Sequence, residues 1–220
     1  MPTSEQPAPN AERQTVITPA GILRGMRDMA PVALFVVPYG LAFGLAAANR
    51  GLDAWLATFI SAAAFAGGSQ FAALDLWAEP LPVFLILITV LLVNARHLLY
   101  GAALYPWLAS LPAYKRYPIM AMMTDTSWAY TAAAIRDGER DADILLGSGL
   151  GLWLVWVVST WAGVKFGAGL GDPRTYGLDV VMVGFFAATL VSMWRGSVDL
   201  APWIAAAATG ACGVWLLPFG

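Results

Sequence analysis

The 220-residue chain is 59% hydrophobic and only 12% charged, with a mean hydropathy of +0.67 and a formal net charge of −2. A soluble domain carries about 25% charged residues, so the composition excludes one, and no basic stripe marks a nucleic-acid partner. One cysteine, Cys212, and one histidine, His97, leave no intrachain disulfide and no dedicated metal site.

Long apolar runs without short alternating strands point away from a β-barrel. The fold class read from them is all-α: a polytopic integral membrane protein. Residues 1–18 begin MPTSEQPAPNAERQT, polar and Pro-containing, with no apolar core of the kind a signal peptide needs. They read as a disordered cytoplasmic tail, followed by a single transmembrane transporter domain over 19–220. Thr18-Pro19 marks a helix start. Ile22, Met26 and Met29 then share a face opposite Arg24, Arg27 and Asp28, which predicts a short interfacial helix ahead of the first span.

Seven apolar segments follow, at roughly 31–48, 54–77, 81–111, 118–135, 144–164, 178–194 and 200–217. They predict about six to seven transmembrane segments. Trp77, Trp107, Trp194, Trp203 and Trp215 lie near segment ends, as interfacial belts would place them. The second segment carries Gly67-Gly68-Ser69-Gln70 halfway along. A Gly pair followed by polar residues weakens a helix, and bare amides at membrane depth survive only inside protein or beside a wet cavity. The competing reading is close helix packing through small residues.

Charge distribution favours a broken or re-entrant second segment. If all seven segments cross, six Lys/Arg (Arg13, Arg24, Arg27, Arg136, Arg140, Arg195) fall on the N-terminal side and five on the other. If the second segment returns to the side it came from, the count becomes seven (Arg13, Arg24, Arg27, Lys115, Arg116, Lys165, Arg174) against four, closer to the positive-inside rule. That arrangement puts the acidic stretch 136–143 outside. GLDAWLATF at 51–59 also resembles GLDVVMVGF at 177–185, each preceded by an FG pair. The two copies would run in opposite senses, a candidate inverted repeat of the kind transporters use.

The polar groups within the apolar runs are few: Ser69, Gln70, Asp75, Asn94, Arg96, His97, Asp125, Thr126 and Ser127. Counting from Pro82, Arg96 lies roughly 21 Å along a helix, well inside a hydrocarbon core about 30 Å thick. A cation at that depth needs a partner or water, which makes it a functional candidate. Asp125, about 10 Å beyond Pro118, is its natural counter-ion. A pair that only locks two helices is the bland alternative, and such pairs add little stability over apolar packing. Asp125 and His97 are the candidate proton carriers. Asp75 falls near a segment end, at the interface. No G-x-S-x-G, H-E-x-x-H or phosphate-binding loop is present, so no enzyme is indicated.

The stretches FAGGSQFAALDLW (65–77), NARHLLYGAALYPWL (94–108) and MTDTSWAY (123–130), in this order and spacing, resemble the AzlC family, the large subunits of bacterial branched-chain amino-acid exporters. The resemblance covers roughly 20–165. It implies export of valine, leucine, isoleucine and, in some members, methionine across the inner membrane, and a small hydrophobic AzlD-like partner subunit. Where that family often carries Asp-Glu, this chain has Asp125-Thr126, which bears on coupling and substrate. The chemistry expected is a secondary transporter without cofactor. Arg96 forks to a substrate carboxylate, Asp125 takes the ammonium, and Gly67, Gly68, Ser69, Gln70 and Asn94 complete a substrate site. Protons, through Asp125 or His97, supply the drive. A structural or assembly subunit and a small-solute channel are the rival readings.

Overall fold

The computed structural model describes residues 17–167, the single positions 180, 184, 187, 191 and 194, and residues 196–216. The expected tail therefore lies outside the described residues except for Ile17 and Thr18, and so does most of the second repeat copy at 177–185. No strand occurs among the described residues. The chain divides into two compact units, Met1–Met182 and Val183–Gly220.

Among the described residues the first unit contains eight helices: α1 Pro19–Asn49, α2 Ala54–Ala64, α3 Gly67–Asp75, α4 Val83–Asn94, α5 Arg96–Leu108, α6 Ala113–Ala121, α7 Asp125–Arg136 and α8 Asp143–Gly167. In the second unit a 3-10 turn at Ser197–Asp199 leads into α9, Leu200–Leu216, which carries the exposed free Cys212. Among the described residues three stretches are long and apolar enough to cross a membrane: Pro19–Asn49, Val83–Leu108 and Asp143–Gly167.

Helix α1 starts where the sequence predicts. Thr18 is its N-cap and accepts from the Gly21 amide at 3.0 Å, with Pro19 at the first position. The separate interfacial helix expected after it is absent. Instead 31 residues run as one helix through Pro31 and Pro38, because packing against α8 along its length outweighs the local loss of hydrogen bonds at the prolines.

That packing depends on small residues. Gly25 lies against Ile144 and Ser148, Gly40 against Trp156 and Ser159, and Gly44 against Thr160 and Gly163. A Cβ at Gly40 would stand 2.7 Å from that of Ser159. The contacts advance together along both helices, so α1 and α8 run parallel with backbones in close approach, as small-xxx-small interfaces allow.

The second apolar segment is broken, but two residues before the glycine pair. Phe65 ends α2 in the left-handed region at φ 42°, a costly conformation for a bulky residue. Gly67 then opens α3. A Cβ there would stand 2.7 Å from the Tyr39 ring and 3.1 Å from Trp156, so the glycine serves close approach as well as the turn. After nine residues α3 ends beside the C-terminus of α1, where Arg50 Nη1 donates to the carbonyls of Leu74 at 2.8 Å, Asp75 at 3.4 Å and Trp77 at 3.3 Å. Exposed Asp75 lies 3.9 Å from Arg50 Nη2. Helices α2 and α3 thus form a hairpin that leaves and returns at one end of the unit, its tip against Tyr39 near the middle of α1.

The segment 118–135 is also divided, which the sequence reading did not anticipate. Helix α6 ends at Ala121, and Thr124 caps α7 in a capping box with Ser127. Ile119, Met123, Leu108, Leu111, Ala142 and Leu145 share one buried cluster with Ile17 against it. Tyr130 donates to Asp28 at 2.7 Å, Arg24 pairs with Glu139, and the Thr18 hydroxyl donates to Asp143 at 2.8 Å. Helices α6 and α7 therefore form a second hairpin entering from the end where α1 begins. The stretch 136–143 sits at that end too, beside the start of α1 and not opposite it as the charge count implied. The count erred because it treated 118–135 as one crossing.

Candidate functional site

Three interruptions meet in the middle of the first unit: Phe65–Ala66, the deviation at Ala95 between α4 and α5, and Met122–Thr124. Helix ends carry unpaired amides and carbonyls, so breaks at this depth concentrate polar capacity where an apolar span otherwise has none.

Arg96 opens α5 and Asp125 opens α7. Their side chains form the pair expected from their depth and charge, with Arg96 Nη2 2.9 Å from Asp125 Oδ2. Tyr100, one turn along α5 from Arg96, donates its hydroxyl to Asp125 Oδ1 at 2.9 Å. The sequence reading missed Tyr100. The signal was available, since residues i and i+4 share a helix face. The pair is not sealed within this unit: the Arg96 and Asp125 side chains are 35% and 22% exposed.

The expected neighbours divide into two groups. Asn94 Nδ2 donates to Ser69 Oγ at 3.0 Å, and Ser69 donates to the Ala66 carbonyl at 2.9 Å, tying the tip of the first hairpin to the end of α4. Gln70 instead points into the scaffold. Its Nε2 donates to Ser61 at 3.0 Å, while its Oε1 accepts from Trp156 Nε1 at 3.1 Å and from the Ala66 amide at 3.3 Å. Ser61 in turn bonds Thr160 at 2.9 Å. Gln70 thus joins α2, α3 and α8, with both ends of its amide engaged. Gly67 and Gly68 form the first turn of α3, which has no side-chain cap.

Tyr39 sits between the groups, its ring stacked on Phe71 at 5.4 Å and tilted against Trp156 at 5.1 Å. His97 Nδ1 lies 3.2 Å from the Asn94 carbonyl, and its ring meets the edge of Tyr100 at 5.7 Å. His97 thus meets Tyr100, which in turn bonds Asp125. Thr126 is half-buried on the first turn of α7. Arg96 Nε and Asn94 Oδ1 are buried and without a hydrogen-bond partner within the described residues. A buried donor or acceptor left without a partner is costly, so each is a candidate contact for a ligand. Among the described residues no group of three or more His, Cys, Asp or Glu side chains is placed to hold a metal ion.

The family profile described as AzlC protein matches residues 31–170, well over half of the chain. The chain belongs to the AzlC family. Among its curated relatives, the inner membrane protein YgaZ of Escherichia coli K12 is 29% identical over 168 residues, covering 75% of this chain and 65% of YgaZ. The branched-chain amino acid transport protein AzlC of Bacillus subtilis 168 is 28% identical over 156 residues, covering 70% of this chain and 61% of that protein. An uncharacterized membrane protein of Helicobacter pylori J99 is 26% identical over 187 residues, covering 80% and 79%. The chain thus spans just under two thirds of the first and second of these. No solved structure matches it. The matched region of the AzlC family takes in both hairpins and the Arg96–Asp125 pair, and it ends just past α8.

Proposed function

We propose that this AzlC-family membrane protein is a secondary transporter, not an enzyme, that exports branched-chain and related hydrophobic amino acids across the bacterial inner membrane. The observation that carries the reading is the partly open Arg96–Asp125 pair, and Arg96 Nε and Asn94 Oδ1 add a buried donor and a buried acceptor without a hydrogen-bond partner among the described residues. An α-amino acid brings one carboxylate and one ammonium, each costly to desolvate alone. Arg96 offers the carboxylate a fork, while Asp125 and Asn94 Oδ1 accept from the ammonium. The tip residues Gly67, Gly68, Ser69 and Gln70 hold the opposite wall. The relative named as a branched-chain amino acid transport protein supports the aliphatic class of substrate.

The same geometry supports a topology. Eleven residues of α2 rise about 16 Å, half of a hydrocarbon core about 30 Å thick, and α3 returns to Arg50. On this reading the α2–α3 hairpin is re-entrant from one face and α6–α7 from the other, leaving three crossings among the described residues of the first unit. Among the described cations outside the pair, six (Arg24, Arg27, Lys115, Arg116, Arg136, Arg140) lie at the end where α1 begins and two (Arg50, Lys165) at the other. That end faces the cytoplasm by the positive-inside rule.

The Val83–Leu108 stretch has none of its most apolar window buried, yet it carries Arg96. A charged site facing lipid is unfavourable, so a small hydrophobic AzlD-like subunit covers this face. Protons drive export through Asp125 or His97: once the substrate has left and before Arg96 closes on it again, Asp125 is free to exchange a proton. Counterflow of labelled valine in proteoliposomes, with and without the small subunit, tests the reading. Saturable, pH-gradient-dependent flux supports it, and ohmic conductance in a voltage-clamped bilayer would replace it with a channel.

A further inference from the structure

Tyr100 and Trp128 bind α5 to α7 around Asp125. Arg96 holds Oδ2 and Tyr100 holds Oδ1, each at 2.9 Å. The Tyr100 ring stacks on Trp128 at 4.6 Å and 19°, one turn beyond Asp125 on α7. His97 closes the edge of the same ring. A carboxylate anchored by Arg96 alone would lose its only fixed partner whenever that guanidinium turned to a substrate. A phenol hydrogen bond fixes the carboxylate without cancelling its charge.

We infer that Tyr100 is a positioning residue for zwitterion recognition: it holds Asp125 in place when Arg96 moves to the substrate carboxylate, so that Oδ2 meets the substrate ammonium. The inference rests on the amino-acid transport reading and names the part of the site that distinguishes an amine-bearing substrate. The stack on Trp128 keeps the phenol aimed, so the hydroxyl supplies direction and the ring supplies rigidity.

Tyr100→Phe removes the hydroxyl and keeps the stack. Valine and its isostere 2-hydroxy-3-methylbutanoate, which lacks the ammonium, compete against labelled-valine counterflow in proteoliposomes of the full chain. In Tyr100→Phe the preference for valine falls at least about tenfold, KM for valine rises and the maximal rate stays near wild type. Trp128→Phe, which retains a stacking ring, keeps the preference. A preference unchanged in Tyr100→Phe, or weakening of both ligands alike, overturns the inference. A second readout needs no substrate: Thr126→Cys on a Cys212→Ala background reacts faster with maleimide when Tyr100→Phe is added. If the wild type recognises neither ligand, the transport reading fails. The labelling rate then decides Tyr100 alone, a faster reaction upholding its hold on the start of α7 and an unchanged rate ending it.

Discussion

At the tip of the α2–α3 hairpin the chain turns through Phe65, the one described non-glycine residue with positive φ, and restarts at Gly67 without a side-chain cap. At the tip of α6–α7 it passes Met122–Thr124 in ordinary backbone conformations and restarts under a Thr124–Ser127 capping box, with Asp125 as the first helical residue. The first tip is neutral and turned inward. Ser69 and Gln70 are buried, and their hydrogen bonds run to Asn94, Ser61 and Trp156. The second tip carries a carboxylate held by two residues of α5 and still partly open. Two hairpins of similar reach therefore divide the work. One is a wall built from backbone and amides against α8, and the other presents the charge a substrate would meet.

The sharpest way to break that division is to remove the charge partner. Arg96→Ala leaves Asp125 without its cation and should cost about 2–5 kcal/mol of recognition. That is at least about thirtyfold in valine flux, with the protein still inserted. Wild-type flux in this variant would move the site elsewhere.

The wall predicts the reverse pattern. Gln70→Leu strands Trp156 Nε1 in a buried network and leaves Ser61 with Thr160 alone, at about 1–3 kcal/mol for the unsatisfied group. The melting temperature in detergent should drop while the valine KM of the surviving protein holds. A changed KM with an unchanged melting temperature would place Gln70 on the substrate instead.

Thr124→Ala removes one half of a capping box and should lower stability by about 1 kcal/mol. It should loosen the second tip without touching the first. Maleimide labelling at Thr126→Cys reports the second tip, and protection of Trp156 from quenching reports the first.

The smallest effect lies at the base of the second hairpin. Burial pushes the Glu139 carboxyl upward, but the backbone amides of Asp141 and Arg140 and the Arg24 guanidinium outweigh it and hold it below the usual range. A carboxyl lowered in the folded state adds stability that is complete above its unfolded value, about 4.3, and is lost as pH falls through the folded value. Arg24 is half exposed, so the pair is worth at most about 1 kcal/mol. Melting temperatures of the wild type and Glu139→Gln should differ at pH 7 and converge near pH 3. A gap that persists at low pH would mean the pair is not its source.

The amino-acid sequence by itself determined the membrane class, the break in the second segment and the pairing of Arg96 with Asp125. Each follows from local terms: apolar length, the weakness of a Gly pair in a helix, and the cost of a cation at depth. It also carried the Thr124 cap and the one-turn spacing of Arg96 and Tyr100, although neither was read as such. Tertiary structure alone decided that 118–135 folds back, that 136–143 lies beside the start of α1, and that Gln70 faces α8 while Asn94 faces the tip. Those outcomes rest on contacts between residues far apart in the chain, Arg24 with Glu139, Thr18 with Asp143 and Gln70 with Trp156. No local pattern encodes them, because which end of a hairpin meets which helix is fixed only when close-packed glycines bring α1 and α8 together.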